Sequence, residues 1–396
     1  MRRNRTLGIC GALILAAVVG LPATVQAQTQ RYELVPSWPQ IPAGMFFGTR
    51  ADQTGLPCTG GGSRQFCLTP AQKEANDRAT AAAAASRAQA QAAQGGQAQA
   101  PRPAPRAQDN VFGTGVSGIA IDSQDNVYIF NRGTQTVLVF DRDGKFVRGG
   151  AEKDAQGNQI AGGWLHSGEV DWEGNVWVVE RDNHRLLKYD PTLKKVLMQI
   201  GTPGVAGNDA THFDLPSGIS VLHNGNLVVT DGYGNNRVVL LDKNGKFIKQ
   251  VGKGAGGRED KGAGPGEWNL PHQAAVTAGD SIFIVDRENK RVQVFDKDLN
   301  FVRQFANPGW NPWDIAIGRR GTDRIAAIAD HATEEIHVIS LDDGKILWTT
   351  GKPGQGPGEF DWVHGMAIDS RGAIYAADTY GQRVQKFAPV SPTAGR

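Results

Sequence analysis

The chain is poor in cysteine and in long apolar runs. Only three of its 396 residues are cysteines, which excludes the disulfide-dense class of small secreted domains. The one long apolar run, residues 8–21, lies near the N-terminus and is too short to predict a membrane-spanning helix. An excess of one charge is also lacking, because 42 basic and 40 acidic side chains give a net charge of +2. The composition therefore indicates neither a nucleic-acid partner nor attraction to an anionic membrane.

Two common ligand-binding motifs are absent as well. The glycine-rich connectors, of which 252–268 is the longest, lack the GxxxxGK[ST] pattern of phosphate-binding loops and are interpreted as turns. Residues 141–144 and 242–245 (DRDG and DKNG) resemble pieces of calcium loops but have no downstream glutamate. We expect both to be hairpin turns.

The N-terminus has the parts of an export signal. MRRNRT supplies a positive region, residues 8–21 an apolar region, and Val25-Gln26-Ala27 a small-residue cleavage site. After cleavage near Ala27 the protein is expected to be periplasmic or secreted. Cys10 leaves with the signal, and in an oxidising compartment the remaining Cys58 and Cys67 are expected to form a disulfide. A two-cysteine metal clip is the alternative.

The rest of the chain divides by composition. Residues 28–50 mix aromatic and apolar residues with prolines and are expected to be ordered. Residues 51–110 hold the cysteine loop and an Ala/Gln/Arg/Pro-rich insert without an apolar stripe, so no packed structure is expected there. A repeat occupies 111–390, and 391–396 form a tail.

The repeat predicts a six-bladed β-propeller. The first five units each contain an opening strand, a turn, a β-rich strand, a polar loop, a third strand, and a second tight turn before a fourth strand, as in DRDGKFVR and DKNGKFIK. Repeats of this length are typical of propeller blades, and a closed ring protects the sheet edges. The last unit has only three strands, so we expect residues 32–35 (YELV) to supply the fourth and close the ring.

Histidines alternate at one position of the repeat. The six opening strands read VSGIAID, LHSGEVD, PSGISVL, PHQAAVT, PWDIAIG and VHGMAID, with register positions Ser117, His166, Ser217, His272, Trp313 and His364. In a six-bladed ring, His166, His272 and His364 would point at one axis and hold a metal ion. Zinc suits three neutral imidazoles with an open fourth position, and iron, copper or nickel would also accept them. The alternative is that the three histidines only pack at the blade starts.

Arginines occupy two other registers. One set recurs in most units, which indicates a structural role in pairing with the aspartates that end the preceding strand (Asp231, Asp286 and Asp378); it comprises Arg185, Arg237, Arg291 and Arg383.

The second set breaks the repeat. Arg132, Arg181 and Arg287 lie fifteen residues beyond the register position, and the third unit has Gly232 followed by Tyr233 there. Arginines beside a metal would bind a substrate carboxylate bidentately, and a tyrosine near a divalent cation can act as a base. Ordinary rim residues are the alternative interpretation.

These features together resemble a known family. The blades resemble NHL repeats, and the special positions resemble peptidyl-α-hydroxyglycine α-amidating lyase over residues 111–387. The shared segments are VSGIAID to VYIFNRG (116–133), NDATHFDLP (208–216), VVTDGYGNNRVV (228–239), PHQAAV (271–276), VDRENKRVQVF (285–295) and VHGMAIDS (363–370).

The resemblance implies an activity and roles for particular residues. It implies zinc on the three alternating histidines, Tyr233 as the base, and Arg132 and Arg287 in the active site. Arg181, which shares their register, is a further candidate for substrate binding on that ground alone. The implied reaction cleaves the C–N bond of a C-terminal α-hydroxyglycine, a small-molecule or peptide substrate with a carboxylate, into an amide and glyoxylate.

The sequence departs from the family at three places. The family aspartate that binds a structural calcium is Gly365 here, so calcium would have to rely on main-chain carbonyls near Val116 and Gly168. The family cysteine beside the tyrosine is Gly234, and the sixth unit carries an extra aromatic, Tyr380.

Two other functions remain as alternatives. One is a non-catalytic NHL propeller that binds a protein or glycan. The other is a calcium-dependent lactonase, to which three imidazoles are poorly suited as ligands.

Overall fold

The protein is a ring of six four-stranded antiparallel sheets. The computed structural model describes residues 31–42, 45, 47, 115–132, 136–157, 165–253, 257, 259–318 and 324–390. The opening strand of each blade contacts the opening strands of both neighbouring blades, and the first and sixth blades also meet. The predicted six-bladed β-propeller is therefore confirmed.

The strands follow one another in order within each blade. Blade 1 comprises β2 (Val116–Ile121), β3 (Val127–Asn131), β4 (Val137–Phe140) and β5 (Phe146–Gly150), and blade 2 comprises β6 (Leu165–Val170), β7 (Val176–Glu180), β8 (Arg185–Tyr189) and β9 (Val196–Ile200). Blade 3 comprises β10 (Gly218–Val221), β11 (Leu227–Asp231), β12 (Arg237–Leu241) and β13 (Phe247–Val251), and blade 4 comprises β14 (Pro271–Val276), β15 (Ile282–Asp286), β16 (Arg291–Phe295) and β17 (Phe301–Phe305). Blade 5 comprises β18 (Pro312–Ile317), β19 (Ile325–Asp330), β20 (Glu335–Ser340) and β21 (Ile346–Gly351), and blade 6 comprises β22 (Val363–Ile368), β23 (Ile374–Asp378), β24 (Arg383–Val390) and the N-terminal β1 (Arg31–Leu34). A 3-10 turn at Arg181–Asn183 and a helical turn at Gly232–Asn235 follow the second strands of blades 2 and 3.

Tight turns join the strands where the sequence predicts them. The Gly144 N–H donates to the Asp141 carbonyl at 3.0 Å, and the Gly245 N–H donates to the Asp242 carbonyl at 2.9 Å. Both glycines have positive φ, 90° and 80°, a conformation that costs glycine nothing. The two calcium-loop look-alikes are hairpin turns, as expected.

The hydrophobic core lies between the blades. Each of six apolar clusters is built from two neighbouring blades, for example Trp177 of blade 2 against Val221 of blade 3. The inner three strands are almost entirely buried, whereas fourth strands such as β5 and β17 alternate between exposed and half-buried residues. Because each blade buries its apolar side chains against the two neighbouring blades, closure of the ring stabilises every blade.

The N-terminal strand closes the ring as predicted. Strand β1 pairs antiparallel with β24 in a register that joins Leu34 to Phe387, and the Val35 N–H donates to the Lys386 carbonyl at 2.8 Å. The chain then crosses to blade 1, where the Trp38 indole N–H donates to the Arg142 carbonyl at 3.0 Å. Blade 6 is thereby tied to blade 1 by sheet pairing and side-chain contacts.

Several predictions concern residues outside the described ranges. The export signal at 1–27, the disulfide between Cys58 and Cys67, the whole 51–110 insert and the 391–396 tail all lie there and stay predictions. In the part of the chain that is described, no helix is long and apolar enough to cross a membrane.

Candidate metal centre

The three alternating histidines meet at the axis of the ring. Each is the second residue of an opening strand (β6, β14 and β22), and each is at most 3 % exposed. The ring centroid of His166 lies 4.9 Å from those of His272 and His364, which are 5.2 Å apart. One potential ligand atom from each histidine lies within 4.8 Å of the other two. The alternation in sequence thus becomes a cluster of three imidazoles.

Hydrogen bonds to the next blade fix the tautomer of each histidine. Nδ1 of His166 lies 2.6 Å from the Ser217 carbonyl oxygen, and Nδ1 of His364 lies 2.7 Å from that of Ser117. His272 makes the same bond to the Trp313 carbonyl. Because a carbonyl oxygen only accepts, Nδ1 carries the proton in all three rings. Each Nε2 is therefore an unprotonated nitrogen, the form that binds a metal.

The surroundings keep these imidazoles neutral. Burial holds the pKa of His166 well below its usual value, and repulsion from His272 and His364 lowers it further. The pKa values of His272 and His364 are also far below the usual range, first because of burial and then because of neighbouring histidines and arginines. Neutral imidazoles are competent ligands without first losing a proton.

Tyr233 faces the unprotonated nitrogens. Its hydroxyl oxygen lies 3.1 Å from Nε2 of His166 and 3.1 Å from Nε2 of His272. The residue sits in the helical turn that follows β11, next to Gly232, where a Cβ would lie 2.0 Å from the Pro271 carbonyl oxygen. The departure from the family pattern at Gly234 has a similar steric reason, because a Cβ there would lie 2.2 Å from the Asp214 carboxyl carbon.

Arg132 and Arg181 form a buried cationic pair beside Tyr233. They are 3 % and 8 % exposed, and burial followed by repulsion from Arg181 lowers the pKa of Arg132 to about 10. Nε of Arg132 donates to the Leu165 carbonyl at 3.1 Å, and Arg181 pairs with Asp182 at 2.7 Å. Two guanidinium groups that repel each other in a buried place are stabilised by a bound anion.

Arg287 approaches the same tyrosine from blade 4. Its guanidinium donates to the Tyr233 hydroxyl at 3.4 Å and lies 5.4 Å from the tyrosine ring centroid. It also stacks over Trp313 at 4.1 Å and pairs with Glu288 at 2.8 Å. The structure thus brings together Tyr233 and all three arginines that the sequence singled out.

The arginines that repeat have a separate, structural position. The predicted pairs are confirmed, with Arg237–Asp231 at 2.9 Å, Arg291–Asp286 at 2.7 Å and Arg383–Asp378 at 3.0 Å. In blade 2 Arg185 pairs with Glu180 in the same way. Arg237, Arg291 and Arg383 also donate to carbonyls of the preceding connector, as Arg237 does to His212 at 2.7 Å. The pairs therefore hold the connectors that lead into the axial positions.

The sequence analysis missed His331 as a rim residue. In four blades, the backbone N–H of the residue just after the second strand donates to a carbonyl of the connector that leads into the same blade. The bonds run from Arg132 to Gly115, Arg287 to Leu270, His331 to Asn311 and Thr379 to Trp362. His331 is thus the counterpart of the rim arginines in blade 5. The longer β18–β19 connection shifts it away from the fifteen-residue spacing. The preceding Asp330, which matches Asp286 and Asp378 at the strand end, was the available signal.

The residues fit a transition metal better than calcium. Three neutral imidazoles with fixed tautomers are a donor set that zinc, iron, copper or nickel accepts. At Gly365 a Cβ would lie 2.6 Å from the Gly118 Cα, so the carboxylate of the related family has no room. The channel carboxylate below the histidines is Asp314, whose oxygens accept from the Ile315 and Met366 N–H groups, both at 2.7 Å. Three buried histidines could therefore hold a metal, and calcium stays a prediction without its carboxylate ligand.

Two family models match parts of the repeat. One, described as a 6-bladed beta-propeller, matches residues 208–308, and the NHL repeat matches residues 360–387. These matches agree with the blades seen in the structure.

Curated relatives are similar over most of the propeller. The peptidylglycine alpha-amidating monooxygenase of Rattus norvegicus is 30% identical over 299 residues, which are 69% of this chain and 30% of that protein. The probable peptidyl-alpha-hydroxyglycine alpha-amidating lyase of Caenorhabditis elegans is 34% identical over 136 residues, 34% of this chain and 37% of that protein. NHL repeat-containing protein 3 of Mus musculus is 27% identical over 296 residues, 68% of this chain and 78% of that protein.

The chain spans less than a third of the length of the monooxygenases that it matches. Its similarity to them and to the named lyases agrees with the resemblance seen in the motifs. The chain is an NHL-repeat six-bladed β-propeller that is similar to peptidyl-α-hydroxyglycine α-amidating lyases.

Proposed function

We propose that the protein is an exported, zinc-dependent lyase of the peptidyl-α-hydroxyglycine α-amidating type. Its substrate would be a hydroxyglycine-type compound with a free carboxylate, and its products an amide and glyoxylate. The observation that carries the proposal is the meeting of three unprotonated Nε2 atoms, the Tyr233 hydroxyl and three arginines at one end of the channel.

The arginines would hold the substrate carboxylate. Arg132 and Arg181 lie next to each other in a buried place, and an anion relieves the repulsion that lowers the pKa of Arg132. Arg287 reaches the Tyr233 hydroxyl at 3.4 Å, so a carboxylate shared with Arg287 would lie close to the tyrosine oxygen. This binding would orient the hydroxyl of the substrate toward Tyr233.

Tyr233 would act as the base. His166, His272 and His364 would hold the zinc, which when bound supplies positive charge that stabilises an alkoxide on the substrate. Tyr233, in its ionised phenolate form, would take the proton of the substrate hydroxyl, and Arg181 and Arg287 lie where they would stabilise the negative charge of that phenolate. As the C–N bond breaks, its electron pair stays on nitrogen and the carbon–oxygen double bond of glyoxylate forms. The proton then passes to the nitrogen, so no water or oxidant is consumed.

The test begins with the metal content. Elemental analysis of the full mature chain after exhaustive dialysis should give about one zinc per chain, and glyoxylate should be released from α-hydroxyhippurate. A chain that binds no transition metal after zinc is offered and the excess removed would overturn the proposal.

A non-catalytic propeller that binds a protein or glycan partner is the second candidate. It is supported by the similarity to NHL repeat-containing protein 3, of which the chain covers 78%. In that case the histidines would only pack, and alanine at all three positions would leave partner binding and the fold intact. Glyoxylate release that depends on these histidines would exclude it.

A further inference from the structure

The rim above the metal centre has two chemically different sides. Blades 1 to 4 contribute Arg132, Arg181, Tyr233 and Arg287, as described above. Blades 5 and 6 contribute aromatic side chains instead. One comes from the axial position of blade 5, one from the connector that leads into blade 6, and one from just after the second strand of each blade. We call this second side the aromatic wall; it comprises Trp313, His331, Trp362 and Tyr380.

The members of the aromatic wall contact one another across the two blades. The ring of Trp313 lies 4.5 Å from His331 and 5.3 Å from Trp362, with edge-on or tilted geometry. Trp362 in turn lies 4.6 Å from Tyr380 and 5.6 Å from His331. These separations are typical of favourable aromatic pairs, so the wall is a continuous surface.

The aromatic wall directly adjoins the histidine cluster. Trp313 occupies the blade 5 axial position, where its ring lies 5.5 Å from His272 and 5.9 Å from His364. Trp362 lies 5.5 Å from His364. Since Arg287 stacks over Trp313 at 4.1 Å, the wall begins where the cationic side ends.

The aromatic wall is only partly covered by the protein itself. Trp362 is 2 % exposed, whereas Trp313, His331 and Tyr380 are half-buried. Among the described residues the indole N–H of Trp313 has no hydrogen-bond partner, although it is buried. The core indoles of Trp177 and Trp310 share this feature, so it is the partial exposure of Trp313, His331 and Tyr380 that indicates a surface for a ligand.

His331 lies beside a carboxylate at the junction of the two blades. Its Nδ1 lies 2.7 Å from one Glu334 oxygen, and the other oxygen accepts from the Val363 N–H at 2.9 Å. Glu334 thus lies between His331 of blade 5 and the opening strand of blade 6, next to His364. The imidazole ring packs against Trp313 and Trp362 at this junction.

Packing of blades 5 and 6 alone does not account for this wall. Blade 6 already holds its connector with the Arg383–Asp378 pair, as the other blades do. Buried packing would also not require three of the four rings to remain partly exposed at the rim. A surface of this kind beside a polar centre is typical of a pocket for an apolar group of a ligand.

We propose that the aromatic wall is the subsite for the acyl group of the substrate, and that this group is aromatic or similarly flat and apolar. The assignment rests on the proposed function, which places the carboxylate at the arginines and the scissile bond at the histidines. The group on the other side of the amide then lies against Trp313 and Tyr380. The substrate class is an N-aroyl or aromatic-terminated α-hydroxyglycine.

Binding of stable analogues tests the subsite without any reaction. Hippurate and N-acetylglycine share the carboxylate and the amide but differ in the acyl group, and neither carries the reactive hydroxyl. By calorimetry on the zinc-loaded full chain, we expect hippurate to bind roughly 10-fold more tightly, a difference that contact with aromatic rings can supply.

Variants of Tyr380 test whether its ring causes the difference in affinity between hippurate and N-acetylglycine. Tyr380→Ala should weaken hippurate binding about 5-fold and leave N-acetylglycine unchanged, because only the benzoyl group reaches the ring. Tyr380→Phe keeps the ring and should retain hippurate binding. Trp172→Ala is the matched control, since Trp172 stacks on His223 at the opposite end of the channel, and it should change neither affinity.

The outcomes separate the subsite from the proposed function. Equal affinities for the two analogues, equal losses in Tyr380→Ala, or no binding of either compound would overturn the aromatic subsite. If hippurate is preferred through Tyr380 but no α-hydroxyglycine compound releases glyoxylate, the lyase proposal fails and the subsite stands. Glyoxylate release at equal kcat/KM from benzoyl and acetyl substrates would leave the lyase and overturn the subsite.

Discussion

The propeller buries two kinds of polar side chain, and they differ in how their charge is balanced. The arginine–carboxylate pairs of blades 2, 3, 4 and 6 recur at one register, and the arginines of blades 3, 4 and 6 also donate to connector carbonyls. The axial histidines occur only in alternate blades, and each donates its single N–H to a carbonyl while its other nitrogen faces the channel. The pairs are satisfied within the fold, whereas the histidines keep a nitrogen for a ligand.

This difference separates scaffold from site. Asp231 and Asp286 accept backbone N–H bonds from the connectors that precede Ser217 and His272, so the pairs fix where the axial residues point. Removing a pair should therefore reduce stability, and removing a histidine should remove binding.

The largest effect is expected for His272→Ala. Loss of one of three ligands should reduce the bound metal from about one ion per chain to none, and glyoxylate release should fall to background. The melting temperature of the metal-free chain should fall only modestly, because the variant loses one hydrogen bond to the Trp313 carbonyl and the contacts of one ring. Elemental analysis and thermal unfolding measure both quantities. His223→Ala, at the opposite face, should keep the metal; retained stoichiometric zinc in His272→Ala would contradict the site.

Tyr233→Phe should separate catalysis from metal binding. The ring would still lie beneath the guanidinium groups of Arg181 and Arg287, so the packing is conserved. Without the hydroxyl, kcat should fall about 10²- to 10⁴-fold, the range of general-base catalysis. The metal content should stay at that of the native chain. An unchanged kcat would exclude Tyr233 as the base.

Arg237→Ala should reduce the stability of the fold and leave metal binding unchanged, the reverse of the result expected for His272→Ala. It leaves Asp231, which is fully buried, without its guanidinium partner, and breaking such a pair costs about 3–5 kcal/mol. Urea unfolding measures this loss, while the metal content of the folded fraction should be unchanged. Arg324→Ala, which removes an exposed ion pair with Asp342, is the control and should have no measurable effect. A loss of metal without a loss of stability would contradict a scaffold role.

Asp314 supplies a smaller, pH-dependent effect. Burial raises the pKa of this channel carboxyl to about 8 in the folded protein, while an unfolded aspartate titrates near 3.8. Between pH 3.8 and about pH 8 the carboxyl is protonated in the folded protein but ionised in the unfolded protein. The free energy of unfolding therefore decreases as the pH rises through this range. We expect the free energy of unfolding to decrease by up to about 1.4 kcal/mol per pH unit relative to Asp314→Asn.

The control for Asp314 is an exposed carboxylate. A hydrogen bond from Lys345 lowers the pKa of Asp343 to about 2, so Asp343 is ionised in both states above pH 5. Asp343→Asn should therefore leave the slope of stability between pH 5 and 8 unchanged. Parallel pH profiles of the native chain and Asp314→Asn would show that the channel carboxyl titrates normally.

The sequence predicts the repeated parts of this molecule better than the parts that break the repeat. Strand order, the closing strand and the pairing of Arg237, Arg291 and Arg383 all follow from residues that recur with the blade period. The meeting of the three histidines follows from their register. His331 was missed because a longer connection in blade 5 disturbs the spacing on which the comparison of blades relied.

Contacts between blades also lie beyond sequence reasoning. The bond from each axial histidine to the next blade depends on how closely neighbouring opening strands approach, as the 2.6 Å Cβ contact at Gly365 illustrates. The aromatic wall joins residues 313, 331, 362 and 380, which occupy four different positions of the blade repeat. Only the three-dimensional arrangement reveals that they form one surface.

The pairing of β1 with β24 has a consequence for how the molecule folds. Leu34 and Phe387 are partners although they lie more than 350 residues apart, one of the longest loop closures this chain can make. Such non-local contacts form late and make folding slow, so the blades should assemble before the two ends meet. The same joint is the natural starting point for unfolding, because releasing one four-residue strand exposes the edge of β24 without breaking the sheet of another blade. The lifetime of the native ring at elevated temperature should then depend on this short strand more than on any residue of the metal centre.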